Sequence, residues 1–585
     1  MKSQRRRYTH GIGRHDGGSD PGNLGSCLGK NRRFDLGPGA LRRAMKCFWA
    51  AVFAMVLATP VFAFHIQEGD ISVDVDTTVS YSTAMRMDHP DSLLLSNING
   101  DDGDRNFKRY DLVTDRLYGI TDIDAHYDKF GVFLRPRAMY DFAYDGKNAN
   151  NSPTTNNNLN KYGGTLDATD LFTSQTTHLF DRVEMLDSFV YGSGQVAGLN
   201  VSGRVGRQVI SWGESLFIQG GISSAQAPID LTQAYAPGVQ LRDIFLPTGA
   251  AQGTVTLTKD ISLTGYYKWE WSPDRLIPTG SFYSTSDYLT GPNYLVPVAL
   301  KDYLAATIDH TSDTSARSGR DFGVGVHYIA EWLNSTDFGF YGMNYSATLP
   351  MLLSSYSGGS MSPAMKALGG NWSNLLGPIY GPIYNALDLS SYHLAYANDT
   401  KLFGFSAGTV IYGANVGYEI SYRDGMPMPY KDVSNPFQTS YERGDYVQTQ
   451  LSIVDTFPKT RFYDQLTVTA EGGMGYAESI SHPHPLYDTL SGGFETQIAF
   501  DWYSISPRVL PGVDLHVPLT WLCNPAGTSP LDSFVFKNDS ASFETDWIYL
   551  QNFTVALGYA IYLNSPKYDP LADRSYLYCN IKYTF

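Results

Sequence analysis

Apolar and polar residues alternate with a period of two over long stretches of this chain. In ISVDVDTTVSYSTAMRM, Ile71, Val73, Val75, Thr77, Val79, Tyr81, Thr83 and Met85 fall on one face, while Ser72, Asp74, Asp76, Thr78, Ser80, Ser82 and Arg86 fall on the other. That pattern predicts one strand far longer than the usual ~5–6 residues. The same alternation runs through Val132 to Phe142, Leu263 to Trp271, Phe322 to Trp332, Tyr446 to Val454, Leu466 to Met474, Phe494 to Trp502 and Val555 to Leu563. It returns in the closing LYCNIKYTF, where Leu577, Cys579, Ile581, Tyr583 and Phe585 share a face. Connections alternate in length. Tight joins fall at 127–131, 258–260, 333–337 and 412–415. Long ones, rich in Gly, Asn and Ser, fall at about 88–112, 143–182, 212–250, 273–320, 349–398, 424–443 and 523–545.

Long tilted strands with one apolar face, joined alternately by short and long loops, predict an antiparallel transmembrane β-barrel of the bacterial outer membrane. About 18 strands are expected, with 16 the alternative. Residues 545–563 read as two strands hinged near Asn552, and the long loops are expected to plug the lumen in part. A sheet edge cannot stay unpaired in a bilayer, so the last strand must close on the first. Tyr583 and Phe585 then form the barrel-closing signal, read by the barrel-assembly machinery. The competing reading is a soluble all-β protein with a well-paired last strand.

Composition narrows the picture. Aromatics make up 14%, with 41 Tyr, and mean hydropathy is -0.23, too polar for a bundle of apolar helices. Residues 1–44 are basic and aperiodic, and read as a wrongly assigned leader ahead of a start at Met45. Residues 45–63 have a basic head, a short apolar run and a small-residue end, Val61-Phe62-Ala63, which predicts a secretory signal peptide cut after Ala63. Residues 64–585 are left as a single barrel domain. The removed segment carries 11 of the 43 basic and 3 of the 58 acidic residues, so the net charge deepens from -15 to -23. An exported acidic chain is not expected to bind nucleic acid; its surroundings are outer-membrane lipid and lipopolysaccharide. Cys523 and Cys579 remain after cleavage. They could pair, but Cys579 on an apolar face reads better as a lone thiol.

RVGRQVISWGESLFIQGGISSAQAPIDLTQAYAPGVQLRD (204–243) resembles a proteobacterial family of exported outer-membrane proteins called domain of unknown function 1302. Similarity extends to GDISVDVDTTVSY (69–81), NGDDGDRNFKRYDLVTD (99–115), FGVFLRPRAMYDF (130–142), SYRDGMPM (421–428) and DPLADRSYLYCNIKYTF (569–585). The resemblance implies an association with hydrophobic-compound metabolism, including steroid and lipid pathways. It also implies partners among envelope lipoproteins and inner-membrane transporters. The chain departs from the family in a long apolar insertion around 349–398.

Candidate chemistry follows from these segments. Arg135, Arg137, Asp141, Arg204, Arg207, Gln208, Trp212 and Glu214 are the lumen or constriction candidates. Arg204 and Gln208 lie on the polar face of their strand, and Arg207 breaks the alternation, at a bulge or the rim. The loop 212–250 either folds inward as a constriction, with arginines facing acids across the pore, or is simply fixed by lumen ion pairs. The loop 349–387 carries one charge, Lys366. Its Met351, Met361, Met365, Trp372, Ile379 and Tyr380 could line an apolar entry site, or pack inside the barrel or against lipid. NINGDDGDRN (97–106) does not match a calcium loop, because Asp102 stands where glycine is required, so it reads as a solvated turn, with a calcium site on Asp101, Asp102 and Asp104 the alternative. His482 and His484 lack partners for a zinc site. No metal, cofactor or catalytic residue is expected. The expected function is a channel or transporter for small hydrophobic compounds, lipid- or steroid-like. A docking barrel for envelope partners and a lipid-acting enzyme are the alternatives.

Overall fold

A strand with one apolar face and one polar face must present each to a matching solvent, and here the assignment is inverted relative to a water-soluble protein. The computed structural model describes residues 64–151, 171–239, 241–290, 294–295, 308–356, 390–431, 439–478, 485–504 and 511–585. The expected leader 1–44, the expected export segment 45–63, most of the apolar loop (Met361, Met365, Trp372, Ile379 and Tyr380) and the histidines His482 and His484 lie outside these residues. Val324 and Phe403 are 57% and 54% exposed, whereas Arg86, Arg137 and Arg423 are at most 1% exposed. Apolar side chains outside and arginines inside are what a lipid solvent around a polar lumen demands.

Eighteen strands form the barrel. They are β1 (Ile71–Arg86), β2 (Leu112–Tyr127), β3 (Phe130–Asp141), β4 (Asp181–Val196), β5 (Leu199–Gln208) and β6 (Thr248–Thr256). Next come β7 (Ile261–Lys268), β8 (Asp321–Ala330), β9 (Thr336–Tyr345), β10 (Thr400–Ile411), β11 (Ala414–Lys431) and β12 (Thr439–Phe457). The last are β13 (Gln465–Ala477), β14 (Leu490–Trp502), β15 (Val513–Ala526), β16 (Ser540–Tyr549), β17 (Phe553–Tyr562) and β18 (Tyr576–Thr584). Each pairs antiparallel with its sequence neighbours, and β18 closes on β1 from Thr78↔Thr584 to Arg86↔Tyr576. Past that register the arm Phe64–Glu68 folds back on the same edge of β1, pairing from Phe64↔Val75 to Glu68↔Ile71. At the seam, the N–H of Phe585 donates to Thr77 O (2.9 Å) and the N–H of Thr77 donates to Phe585 O (2.6 Å).

Both termini of the barrel lie at the end with the short turns. That rim carries exposed Tyr127, Phe130, Trp332, Tyr412, Phe462 and Tyr503, the aromatic girdle of a membrane interface. The hinge near Asn552 is a turn between β16 and β17. Cys523 and Cys579 are not joined to each other.

One expected loop is a strand. Instead of a long connection over 424–443, β11 continues to Lys431 and β12 begins at Thr439. Gly425 (φ +69°) sits in a bulge between Arg423 and Met426, and pairing then resumes at Met426↔Gly444. The partner on the other side, β10, reaches no further than Asp424. Beyond that point β11 is an edge strand, where Pro427 and Pro429 forfeit no second ladder. Met351 begins a strand, Met351–Tyr356, which pairs with Ser390–Ala395 in a separate four-stranded sheet.

Candidate functional site

Between β5 and β6 the alternation stops, and the chain leaves the wall to cross the lumen. This strap, residues 209–247, is received by β11–β13, six to eight strands round an 18-stranded wall. Two carboxylates on inward positions take its backbone N–H groups. Glu419 on β11 accepts from Glu214 N (2.8 Å) and from Ile222 N. Glu471 on β13 accepts from Leu216 (3.1 Å), Phe217 (2.6 Å) and Ile218 (2.7 Å). The strap's carbonyls are met from the same wall: Arg423 donates to Gly221 O (2.8 Å), Gln448 to Gln219 O (2.8 Å) and Gln450 to Ile218 O (2.7 Å). Hydrogen bonds to charged groups contribute about 1.5–3 kcal/mol each. The approach is so close that a Cβ on Gly213 would lie 2.2 Å from a Glu419 oxygen, and the φ of Gly213 is +98°. Glycine is therefore required there.

Ile210, Trp212, Ile222 and Ala225 seat the strap on an apolar bed that includes Tyr266, Tyr341, Met343 and Leu402. Trp212 stacks on Tyr341 (5.6 Å) and meets Tyr266 edge-on (5.0 Å). The strap then turns through the short helix Leu231–Ala234, capped by Asp230. A second group of loops, around Phe107, Tyr144, Phe180 and Phe282, packs on the inner wall contributed by Ala84, Tyr118 and Met139.

Asp230 is also the centre of an ion-pair network. Its Oδ2 meets Arg137 (2.9 Å), Arg182 (2.5 Å) and Arg275 (2.7 Å). Glu184 meets the same three guanidiniums at 2.7, 2.8 and 2.9 Å. The side chains of Arg137 and Asp230 are wholly buried. Removing one member of a buried pair leaves an uncompensated charge and costs ~3–5 kcal/mol. Asp230→Asn is therefore expected to lower the melting temperature of the folded barrel and expose 226–243 to protease; unchanged melting and proteolysis would show that the strap does not depend on this network.

The expected lumen residues separate into distinct environments. Arg135 pairs with Asp122 (2.6 Å) and Asp187 (3.3 Å), one layer from Arg137. Arg204 donates to Gln252 (2.8 Å) and Val209 O (3.0 Å). Gln208 is buried and donates to Ala250 O (2.8 Å). Asp141 accepts from the N–H groups of Asp115 (2.8 Å) and Ala143 (3.0 Å), and so caps a turn, on the inward face of β3 beside Arg116 and Thr232. Arg207 shares the outward face of β5 with Val205, 3.4 Å from Glu270 at the rim, and is not a lumen residue. Its odd register carries it outward, while Arg204 and Gln208 point in. Sequence reasoning missed Glu184, Asp230, Arg275, Glu419 and Glu471. The available signal was a lone acid on the polar face of an otherwise uncharged strand segment, as in GYEISY and TAEGGMG.

NINGDDGDRN also departs from expectation. Asp101, Asp102 and Asp104 are at most 2% exposed, so the segment is no solvated turn. It is covered by the loop around Phe282, which packs over Gly103 so closely that a Cβ there would meet Ser281 O at 2.4 Å.

What the strap leaves open is eccentric. A cavity of about 440 Å³ lies between Phe217, Gln219 and Gly238 of the strap and the wall β14–β18, where Glu495, Tyr562 and Tyr578 line it. Tyr578 donates to Glu544 (2.5 Å). A larger concavity of about 930 Å³ is bounded by Val132, Val190, Val201 and Val205 on the lipid-facing side, where Gly192, Gly203 and Gly253 stand abreast and leave the wall bare. It faces the bilayer, and we assign the site to the lumen cavity.

A family model described as a protein of unknown function (DUF1302) matches residues 44–585. No curated protein matches the chain. Solved structures similar to it include the outer membrane channel DcaP of Acinetobacter baumannii, at 9% identity over 90% of this chain and 100% of that one, with a TM-score of 0.34. OpdK of Pseudomonas aeruginosa with vanillate is 9% identical over 88% of this chain and 98% of that one, with a TM-score of 0.35. A BenF-like porin from Pseudomonas fluorescens Pf-5 is 9% identical over the same shares, with a TM-score of 0.39.

Proposed function

The chain belongs to the DUF1302 family, and within it we propose that this member is an outer-membrane channel for small uncharged hydrophobic molecules, lipid- or steroid-like, exported by the segment 45–63. The observation that carries this reading is the cavity between the strap and β14–β18. Phe217, Leu522, Tyr562, Tyr576 and Tyr578 offer aromatic and aliphatic surface, and Glu495 adds negative charge. An anion entering there would meet a carboxylate, while Arg135, Arg137, Arg182 and Arg275 are engaged by Asp122, Asp187, Glu184 and Asp230 elsewhere. Aromatic and aliphatic surface suits the apolar body of a ligand, Gln219, Thr520, Asn524 and Asn538 in the same lining suit a hydroxyl or carbonyl on it, and the acids Glu495 and Asp532 disfavour anions.

The test is flux through purified barrel in proteoliposomes. A neutral steroid should enter faster than into protein-free vesicles, while an aromatic carboxylate of similar size should not. Tyr578→Ala should change steroid flux without altering the folded fraction. Equal or faster passage of the carboxylate, or no flux of either compound, would overturn the proposal.

A further inference from the structure

Asp101, Asp102 and Asp287 each offer a carboxylate oxygen, and these oxygens lie within 4.8 Å of one another in a fully buried pocket. The first two come from the loop after β1 and the third from the loop after β7, so the cluster joins two connections at the long-loop end of the barrel. The loops are held in register by the N–H of Asp287, which donates to Asn99 O (2.9 Å), and by the N–H of Asp102, which donates to Asp287 Oδ2 (3.3 Å). Arg105 meets Asp101 Oδ2 (2.5 Å). Oδ1 of Asp101 and Oδ1 of Asp287 are buried and accept no hydrogen bond. Asp287 is 0% exposed and ion-pairs with no described cation. Burial, reinforced by the charges of Asp102 and Asp101, pushes its carboxyl well above the ordinary range.

A buried carboxylate oxygen that accepts no hydrogen bond from the protein, beside two others, is strongly disfavoured unless a cation joins them. The neighbouring quartet needs none, because Asp104 and Asp573 are matched there by Arg86 and Arg574. An all-oxygen donor set selects a hard divalent ion over zinc or copper, and calcium accepts irregular carboxylate geometry where magnesium demands a near-ideal octahedron. We propose that Asp101, Asp102 and Asp287 bind one calcium ion, which clasps the loop after β1 to the loop after β7.

The experiment is calorimetric titration of calcium chloride into the full folded protein in detergent after chelator treatment. One ion per chain is expected, with a dissociation constant on the order of 10⁻⁴–10⁻³ M, as in extracellular calcium modules. Calcium should also raise the melting temperature. Asp287→Asn and Asp102→Asn should each weaken binding at least about tenfold while keeping the heat-modifiable barrel band. Glu331→Gln, in an exposed short turn, should bind as the parent does. No binding up to about 10 mM, or unchanged affinity in Asp287→Asn, would overturn the proposal. So would an Asp287→Asn protein that melts in chelator as high as the parent does in calcium, since the carboxyls would then be holding a shared proton.

Discussion

Replacing Glu419 and Glu471 together by alanine should widen the pore, with single-channel conductance in planar bilayers rising severalfold while the barrel stays folded. The two carboxylates accept all five of the strap N–H bonds described from Glu214, Leu216, Phe217, Ile218 and Ile222. Alanine removes every one of these acceptors, each charge-assisted bond contributing ~1.5–3 kcal/mol. The ladder of the barrel makes no use of these side chains, so heat modifiability on gels should persist. The apolar seating of Ile210, Trp212, Ile222 and Ala225 and the donors Arg423, Gln448 and Gln450 then remain, so the strap should stay tethered but 213–221 should loosen from the wall. Unchanged conductance in a folded double variant would show that the strap does not set the width of the pore.

Loss of the closing contact should be more severe. Deleting Phe585 removes both seam hydrogen bonds to Thr77 and the ring that packs 5.6 Å from Tyr583. Ile581→Arg leaves the seam intact but puts a charge on the lipid face of β18, at a cost of ~2–4 kcal/mol near the bilayer midplane. Both variants should lower the heat-modifiable barrel recovered in outer-membrane fractions, the deletion to background. Thr584→Asn, a polar change on the lumen side of the same strand, should assemble as the parent does. Parental yield of the Phe585 deletion would mean that β18 closes without its terminal residue.

The strands were legible because their determinant is local: each residue faces lipid or lumen according to parity, and parity is visible in the sequence. That logic placed Arg204 and Gln208 inward and closed LYCNIKYTF on Ile71–Arg86. It failed where composition imitated a loop. MPMPYK has the prolines of a turn, but only the end of the β10 ladder at Asp424 shows that an edge strand can carry them. The same limit hid the site. Asp230 looks like any loop aspartate until Arg137, Arg182 and Arg275 converge on it, and NINGDDGDRN looks solvated until the Phe282 loop covers it. Burial made by distant segments leaves no local trace.

The strap also bears on the order of folding. It leaves the wall between the fifth and sixth strands, yet Glu214 finds its acceptor 205 residues downstream and Leu216 finds its own 255 residues downstream. Contacts so far apart in sequence form slowly, because a large loop must close before any energy is returned. Neighbouring strands can zip together pair by pair without them. By that order the inside of the barrel is the last part to settle: the wall first encloses a loosely tethered segment, and the lumen reaches its final width only when that segment docks.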